Sequence, residues 1–137
     1  MEDKNESLKE RILKEMTVDY SNALEKNFEI AKQMVQITKE GKINVLKKES
    51  LTVREQIQAY LIGKLYAKVA GLTDNEFVGN KEFEDELGLP GGSLRPQLKN
   101  LRDSNQISQK KSGNNVLHFM PLNLVERTLN DLKVKLK

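Results

Sequence analysis

The sequence predicts a mainly α-helical protein with one small β-hairpin. Three observations lead to this prediction. Apolar residues recur at intervals of three and four through most of the chain, two capping boxes mark helix starts, and the spacing becomes strand-like over residues 106–121. A length of 137 residues is that of about one ordinary domain. We therefore expect one continuous fold rather than two independent domains.

The N-terminal region begins with Ser7 and Glu10, which have the spacing of a capping box. A second apolar stripe, from Tyr20 to Ile37, follows a break around residues 17–19 and has helical spacing over about five turns. The stretch Lys42–Ser50 fits either a short strand or a linker. We assign residues 1–50 to a helical region that supports the fold and forms a homodimer. The apolar stripe of the first helix consists of Leu8, Ile12, Leu13 and Met16.

The centre of the sequence predicts a core helix followed by a pair of short helices. Thr52 and Glu55 form a second capping box, and the helix after it ends near Gly71. Asn80 is the expected N-cap of the next helix, and the motif GLPGG divides the two short helices. The residues predicted to face the core are Ile57, Tyr60, Leu61, Leu65 and Val69 on the long helix, Phe83 and Leu87 on the first short helix, and Leu94, Leu98 and Leu101 on the second.

The last third of the sequence predicts a hairpin and a final helix. The segments QISQKK and VLHFMP alternate like strands, and the turn residues 112–115 separate them. Residues 122–137 return to helical spacing, with a coiled-coil-like alternation of apolar residues. We assign a dimer contact to this C-terminal helix. Its apolar residues are Leu122, Val125, Leu129, Leu132 and Leu136.

The element order from about Thr52 to Pro121, with Gly88 after Phe83 and Leu87 and with Leu94 opening the next helix, resembles the winged helix-turn-helix superfamily. We assign residues 51–121 to this module. The flanking helices make the whole chain similar to MarR-like regulators. The resemblance implies that helix 93–103 lies in the DNA major groove and that wing 106–120 contacts the backbone or minor groove. The hairpin lacks the Asp-x-Arg tip of that family, so no small-molecule effector is assigned.

The second short helix has suitable side chains for this role. If its leucines face inward, Arg95, Lys99 and Asn100 face outward, with Gln97 and Arg102 at the margins. Arginine can read guanine, and asparagine or glutamine can read adenine, whereas lysine more often neutralises phosphate. Pro96 is expected in the first turn, where its missing N–H costs little. The candidate DNA-binding residues are Ser93, Arg95, Gln97, Lys99, Asn100, Arg102, Lys110 and Lys111.

The distribution of charge supports the same interpretation. The whole chain has a net charge of +3, whereas residues 92–113 contain five cations against Asp103 alone, a net charge of +4. The acidic run at residues 82–86 is interpreted as a solvated helix face rather than a metal site. His118 is the only histidine, and the chain has no cysteine, which leaves too few groups for an ordinary zinc site or for catalysis. We therefore assign His118 a structural role.

These observations predict a homodimeric, sequence-specific double-stranded DNA-binding protein that regulates transcription. We expect no enzymatic activity, no cofactor and no bound metal. The chain contains no run of about 18 apolar residues, so we expect a cytoplasmic protein with no membrane partner. The alternative is a winged-helix assembly module that contacts proteins in a transcription or replication complex. That alternative predicts exposed apolar residues on the second helix of the motif.

Overall fold

The computed structural model describes residues 6–17 and 19–136. It confirms the predicted mainly α-helical class, and its strands form two antiparallel pairs. The helices are α1 (Leu8–Glu15), α2 (Ala23–Lys26), α3 (Phe28–Met34), α4 (Val53–Val69), α5 (Asn80–Leu87), α6 (Gly91–Asp103) and α7 (Leu122–Leu132). The strands are β1 (Val35–Ile37), β2 (Ile43–Val45), β3 (Ser108–Ser112) and β4 (Asn115–Phe119), and short 3-10 helices span Lys48–Ser50 and Lys133–Leu136.

Helix α4 is the centre of the core. Its predicted capping box is present, because Glu55 N donates to Thr52 Oγ1 at 3.2 Å and Thr52 N donates to Glu55 Oε1 at 2.8 Å. The β1–β2 pair, α3, α6 and α7 all contact this helix, which explains why ten of its 17 residues are buried. Val69 is an exception to the predicted core face, since it is 74% exposed near the end of the helix.

The predicted continuous helix from Tyr20 to Ile37 is wrong. The structure has two shorter helices, α2 and α3, and residues Val35–Ile37 form β1 instead. Asn27 lies at the break, where its side-chain amide donates to the Ala23 carbonyl at 2.8 Å. The β-branched residues after Met34 pair with β2, which shows that the ambiguous stretch 42–50 contains a strand. Val18, in the predicted break, lies outside the described residues.

A three-residue turn joins α5 to α6. Gly88 ends α5 with a φ of 67°, a left-handed conformation that favours glycine, as predicted. Helix α6 begins at Gly91, before the predicted start at Ser93, because the last two glycines of the predicted turn, Gly91 and Gly92, already have helical geometry. Pro96 is therefore inside the helix rather than in its first turn, and it leaves the Gly92 carbonyl without its usual intrahelical donor.

The N-terminus of α5 also differs from the prediction. Gly79 is the N-cap, and Asn80 is the first helical residue without a capping contact of its own. The predicted inward faces of the two helices are confirmed. Phe83, Leu87, Leu94, Leu98 and Leu101 are all at most 2% exposed.

Strands β3 and β4 form the predicted hairpin. Their register pairs Ser108 with Phe119 and Ser112 with Asn115, which leaves a two-residue turn. The segment before α5 joins this hairpin through a bridge between Val78 and His118. The hairpin is therefore fixed both to the start of α5 and, as described below, to α6.

The C-terminal helix packs onto its own chain. Val125, Leu129 and Leu132 of α7 are buried against α2 and α4, so this part of the coiled-coil-like stripe belongs to the core of its own chain, whereas Leu122 is 37% exposed. The dimer contact stays a prediction. The helix ends at Leu132, and a 3-10 turn follows. Residue 137 of the predicted helix lies outside the described residues.

Two lysines connect the N-terminal half to later elements. The Lys48 ammonium donates to the Leu87 carbonyl at the C-terminus of α5, and the Lys47 ammonium donates to the Leu136 carbonyl at 3.0 Å. These bonds satisfy carbonyl groups that a helix end leaves without intrahelical partners. Helix α5 is thus capped by a residue almost forty positions earlier in the chain.

Helix α1 differs from every other long helix in that none of its residues is buried. Its capping box is present, with Glu10 N donating to Ser7 Oγ at 3.1 Å. Leu8 and Met16 are 72% and 76% exposed. Residues 1–5, which the predicted N-terminal region includes, lie outside the described residues.

No helix in the described ranges has the length and apolar character needed to cross a membrane.

Candidate functional site

A groove of about 650 Å³ lies between α6 and the β3–β4 hairpin. Three cationic residues of α6 line one side, namely Arg95, Lys99 and Arg102. They share this side because they are separated by four and three residues, which is one helical face. The remaining polar lining comes from α5 and the hairpin, through Asn80, Gln109 and His118. The groove therefore brings together side chains that are far apart in sequence.

The cations in the groove have different local partners. Lys99 Nζ lies 2.7 Å from Asp103 Oδ2, and both side chains are exposed. A hydrogen bond from Lys99 and its charge lower the pKa of Asp103, so this carboxylate is ionised at neutral pH. Arg95 folds back toward the start of α6, where a Cβ added to Gly91 would lie 2.8 Å from its Nη1 atom.

Arg102 is held by the hairpin. Its Nη1 atom lies 2.8 Å from His118 Nε2. Burial and then the nearby Arg102 charge lower the pKa of His118 to about 4, although the neighbouring backbone of Val78 opposes the shift. The imidazole is consequently neutral at pH 7. The hydrogen bond between Arg102 and His118 holds one side of the hairpin against α6.

The other predicted site residues lie outside the groove lining. Ser93 and Asn100 are exposed on α6, and Gln97 is half-buried at its margin. Lys110 and Lys111 are exposed on β3, where Lys110 Nζ lies 4.4 Å from the centre of the Phe77 ring. That contact is a cation–π interaction, and it holds the Lys110 side chain along the outer surface of the hairpin.

Searches of protein-family models, curated proteins and solved structures found no match to this chain. The resemblance to a family that the sequence indicates therefore stays a prediction.

Sequence reasoning did not place Asn80, Gln109 and His118 in the site. The strand alternation of β4 contained part of this information, since Val116, His118 and Met120 fall on one face. The register then places Gln109 directly opposite His118. What the sequence could not provide was the distance between β4 and α6, which depends on how the hairpin packs.

The predicted solvated acidic face is wrong for Glu82. Its Oε2 atom accepts a hydrogen bond from the Tyr60 hydroxyl at 2.6 Å and lies 3.2 Å from Lys64 Nζ. Both partners are buried on α4. Burial, followed by Glu82, raises the pKa of Tyr60, so the phenol remains a donor. Glu82 therefore attaches α5 to α4, whereas Asp85 makes only a surface ion pair with Lys81 at 3.5 Å.

The acidic groups do not form a metal-binding cluster. Within the described residues, no group of three or more His, Cys, Asp or Glu side chains has a suitable arrangement for a metal ion. The groove between α6 and the hairpin, with its three cations, is instead suited to a polyanion.

Proposed function

We propose that residues 51–121 form a winged helix-turn-helix that binds double-stranded DNA in a sequence-specific manner, as a regulator of transcription. The observation that carries this proposal is the groove between α6 and the hairpin, with Arg95, Lys99 and Arg102 along one wall. Cations placed along one helix face can neutralise successive phosphates and release counterions. The three-residue turn and the hairpin support the winged-helix assignment.

The outward face of α6 has the composition of a recognition helix. Its three leucines are buried, so the side chains that remain accessible are polar apart from Pro96. Arg95 offers a bidentate donor for a guanine edge, and Asn100 offers an amide for an adenine edge. Lys110 and Lys111 on β3 are available for the flanking backbone. An α-helix with this face fits the width of the DNA major groove.

Fluorescence anisotropy with random-sequence duplex DNA at two salt concentrations tests the proposal. The Arg95→Ala/Lys99→Ala variant should bind at least about 10-fold more weakly than the unmodified protein at low salt. Lys26→Ala/Lys32→Ala is the matched control, because it removes the same charge from α2 and α3, which do not line the groove. Equal loss of binding in the two variants would show that net charge alone is responsible.

A selection of bound sequences from the same random duplexes tests specificity. Enrichment of a short motif supports base reading by α6, whereas binding without enrichment contradicts sequence-specific recognition and favours an architectural role.

The salt experiment also has an expected slope. If each subunit of a dimer neutralises about four phosphates, the logarithm of the association constant should fall against the logarithm of the salt concentration with a slope of roughly −7.

The homodimer is part of the same proposal, and α1 is the element that supports it. An isolated helix of eight residues is marginal in water, and its apolar stripe is exposed on this chain. Ile12→Glu should therefore lower the mass measured by light scattering. Lys14→Glu is the control, because it changes charge outside the apolar stripe. A dimer mass that survives Ile12→Glu would exclude α1 from the interface.

A second candidate, a protein-assembly module, is favoured by a different surface. Phe28 and Val69 are 48% and 74% exposed, and they line an apolar groove together with Leu24 and Tyr66. This surface lies outside α6. The alternative predicts exposed apolar residues on α6, but the accessible face of that helix is mainly polar. Absence of DNA binding at low salt would favour this candidate.

A further inference from the structure

His118 occupies an unusually constrained position for a polar side chain. It is only 1% exposed, and its backbone is paired with Val78 in both directions, at 2.7 and 2.8 Å. Its ring lies 6.1 Å from the Phe83 ring, measured between centroids. The segment at Val78 and helix α5, through Phe83, therefore both constrain His118 before any contact with Arg102 is considered. The ring provides a rigid reference point on the wall of the groove.

The chemistry of the two side chains assigns their roles. A guanidinium has donors and no acceptor, so Arg102 Nη1 donates and His118 Nε2 accepts. The imidazole must then carry its single proton on Nδ1. This buried nitrogen has no hydrogen-bond partner within the described residues. Within the described residues, Arg102 is thus the hydrogen-bond partner of the ring nitrogens, and this partner is a cation.

The partner of Arg102 is notable because it is neutral. A carboxylate at the same place would orient the guanidinium but would also offset much of its charge, as Asp103 partly does for the exposed Lys99. In residues 6–17 and 19–136, no carboxylate forms an ion pair with Arg102, although, after Lys99, its charge contributes to lowering the pKa of the neighbouring Asp103. One of its five N–H donors is used by His118, which is a neutral partner. A neutral acceptor is therefore suited to orienting a cation that must still attract an anion.

We propose that His118 is a positioning residue for nucleic-acid binding: its Nε2 atom holds the Arg102 guanidinium in the groove between α6 and the hairpin, with its charge available to a DNA phosphate. This inference rests on the proposed function. It gives the buried histidine of the hairpin a role in affinity, beyond filling the core. It also predicts that Arg102 binds DNA as a preorganised group, with little side-chain entropy left to lose.

Three variants separate positioning from packing. His118→Leu retains a side chain of similar size without an acceptor, His118→Gln retains an acceptor near the position of Nε2, and Arg102→Ala removes the positioned cation. Anisotropy with the duplex of the salt experiment should show about 10-fold weaker binding for His118→Leu and for Arg102→Ala. The double variant should be no weaker than Arg102→Ala alone, because both changes remove one contact. His118→Gln should recover most of the affinity.

Several outcomes would overturn the inference. His118→Leu could bind as the unmodified protein does while Arg102→Ala is weakened, or the two losses could add in full. A circular dichroism spectrum and a urea midpoint establish that each variant is folded. If His118→Leu does not fold, His118→Gln and the measurement below decide, since failure of His118→Gln to retain affinity in a folded protein contradicts the proposal.

Nitrogen-15 NMR of the unmodified protein tests the contact without DNA. The chain has a single histidine, so its ring signals need no further assignment. At pH 7 the proton should be on Nδ1, with Nε2 unprotonated. The opposite tautomer would overturn the positioning role while leaving DNA binding intact. Absence of DNA binding by the unmodified protein would overturn the proposed function and, with it, the role of His118, whatever the tautomer.

Discussion

Gly63 on α4 lies directly against Ile43 on β2, so closely that a Cβ added to Gly63 would be 2.5 Å from Ile43 Cγ2. The absence of a side chain at Gly63 is what allows the β1–β2 pair to reach the central helix. Ile43 is 3% exposed at this contact. A residue that is unfavourable in a helix interior is thus explained by the strand that packs on it.

Gly63→Ala should destabilise the protein by about 1–3 kcal/mol. Alanine is favoured over glycine in a helix by about 1 kcal/mol, but the added methyl group must displace β2 in a close-packed core. Urea denaturation measures the change. Gly92→Ala on α6 is the control, since its Cβ would meet nothing within 4 Å, and it should cause no loss of stability. A more stable Gly63→Ala protein would contradict this packing.

Glu82→Gln should destabilise the protein by about 2–4 kcal/mol. The change leaves the buried Lys64 ammonium without its carboxylate partner, although Tyr60 can still donate to the amide oxygen. The value is placed below that for a fully buried pair because the Glu82 side chain is 33% exposed. Urea denaturation at pH 7 measures the effect.

Asp85→Asn on the same helix provides the comparison. Its ion pair with Lys81 joins side chains that are 58% and 89% exposed, so the loss should stay below about 1 kcal/mol. If the two variants lose the same stability, Glu82 has no special function in joining α5 to α4.

Asp103→Asn should strengthen DNA binding, by about 2- to 5-fold at low salt. The change removes a carboxylate that would repel phosphate, and it releases Lys99 from an ion pair of 2.7 Å. The gain should shrink as salt increases, because the groups are exposed. Anisotropy at two salt concentrations measures it. Asp131→Asn, an equal charge change at an exposed position on α7, should leave the affinity nearly unchanged.

The stability of the protein should include a contribution from His118 that falls as the pH is lowered from about 6.5 to about 4. Above this range the imidazole is neutral in both states. Within it the unfolded chain takes up a proton at the ordinary pKa of 6.5, whereas the folded chain resists until about pH 4. The loss amounts to about 3 kcal/mol.

His118→Gln is the reference for this measurement, because it lacks the titrating group and keeps every carboxylate. Urea midpoints at pH 7, 6, 5 and 4 should therefore converge for the two proteins as the pH falls, provided that the variant is the less stable one at pH 7. Stability profiles that remain parallel through this range would show that the folded imidazole titrates normally.

The elements that local sequence specifies were predicted well. Helix α4 has a capping box and an apolar face of its own, and α6 has leucines at regular spacing, so both could be recognised without knowing their neighbours. The left-handed Gly88 could be recognised for the same reason. The beginning of α6 was placed too late because glycine usually breaks helices, and here Gly91 and Gly92 form the first turn.

The elements that depend on distant partners were missed. Strand β1 has helical spacing in the sequence and becomes a strand because β2 and α4 cover it, so tertiary packing overrides the local pattern. The contact between Arg102 and His118 likewise requires both the hairpin register and its position on α6. The groove could be predicted as a basic helix face, but its second wall could not.

The bond from Lys48 to the end of α5 limits how this module can be used in protein engineering. A fragment of residues 51–121 would lose that cap, the β1–β2 pair on α4 and the leucines of α7. It would expose to water part of the buried surface of the central helix α4. A chimaera that borrows the groove between α6 and the hairpin must therefore include residues 23–132, since the surrounding segments are part of the scaffold that folds it.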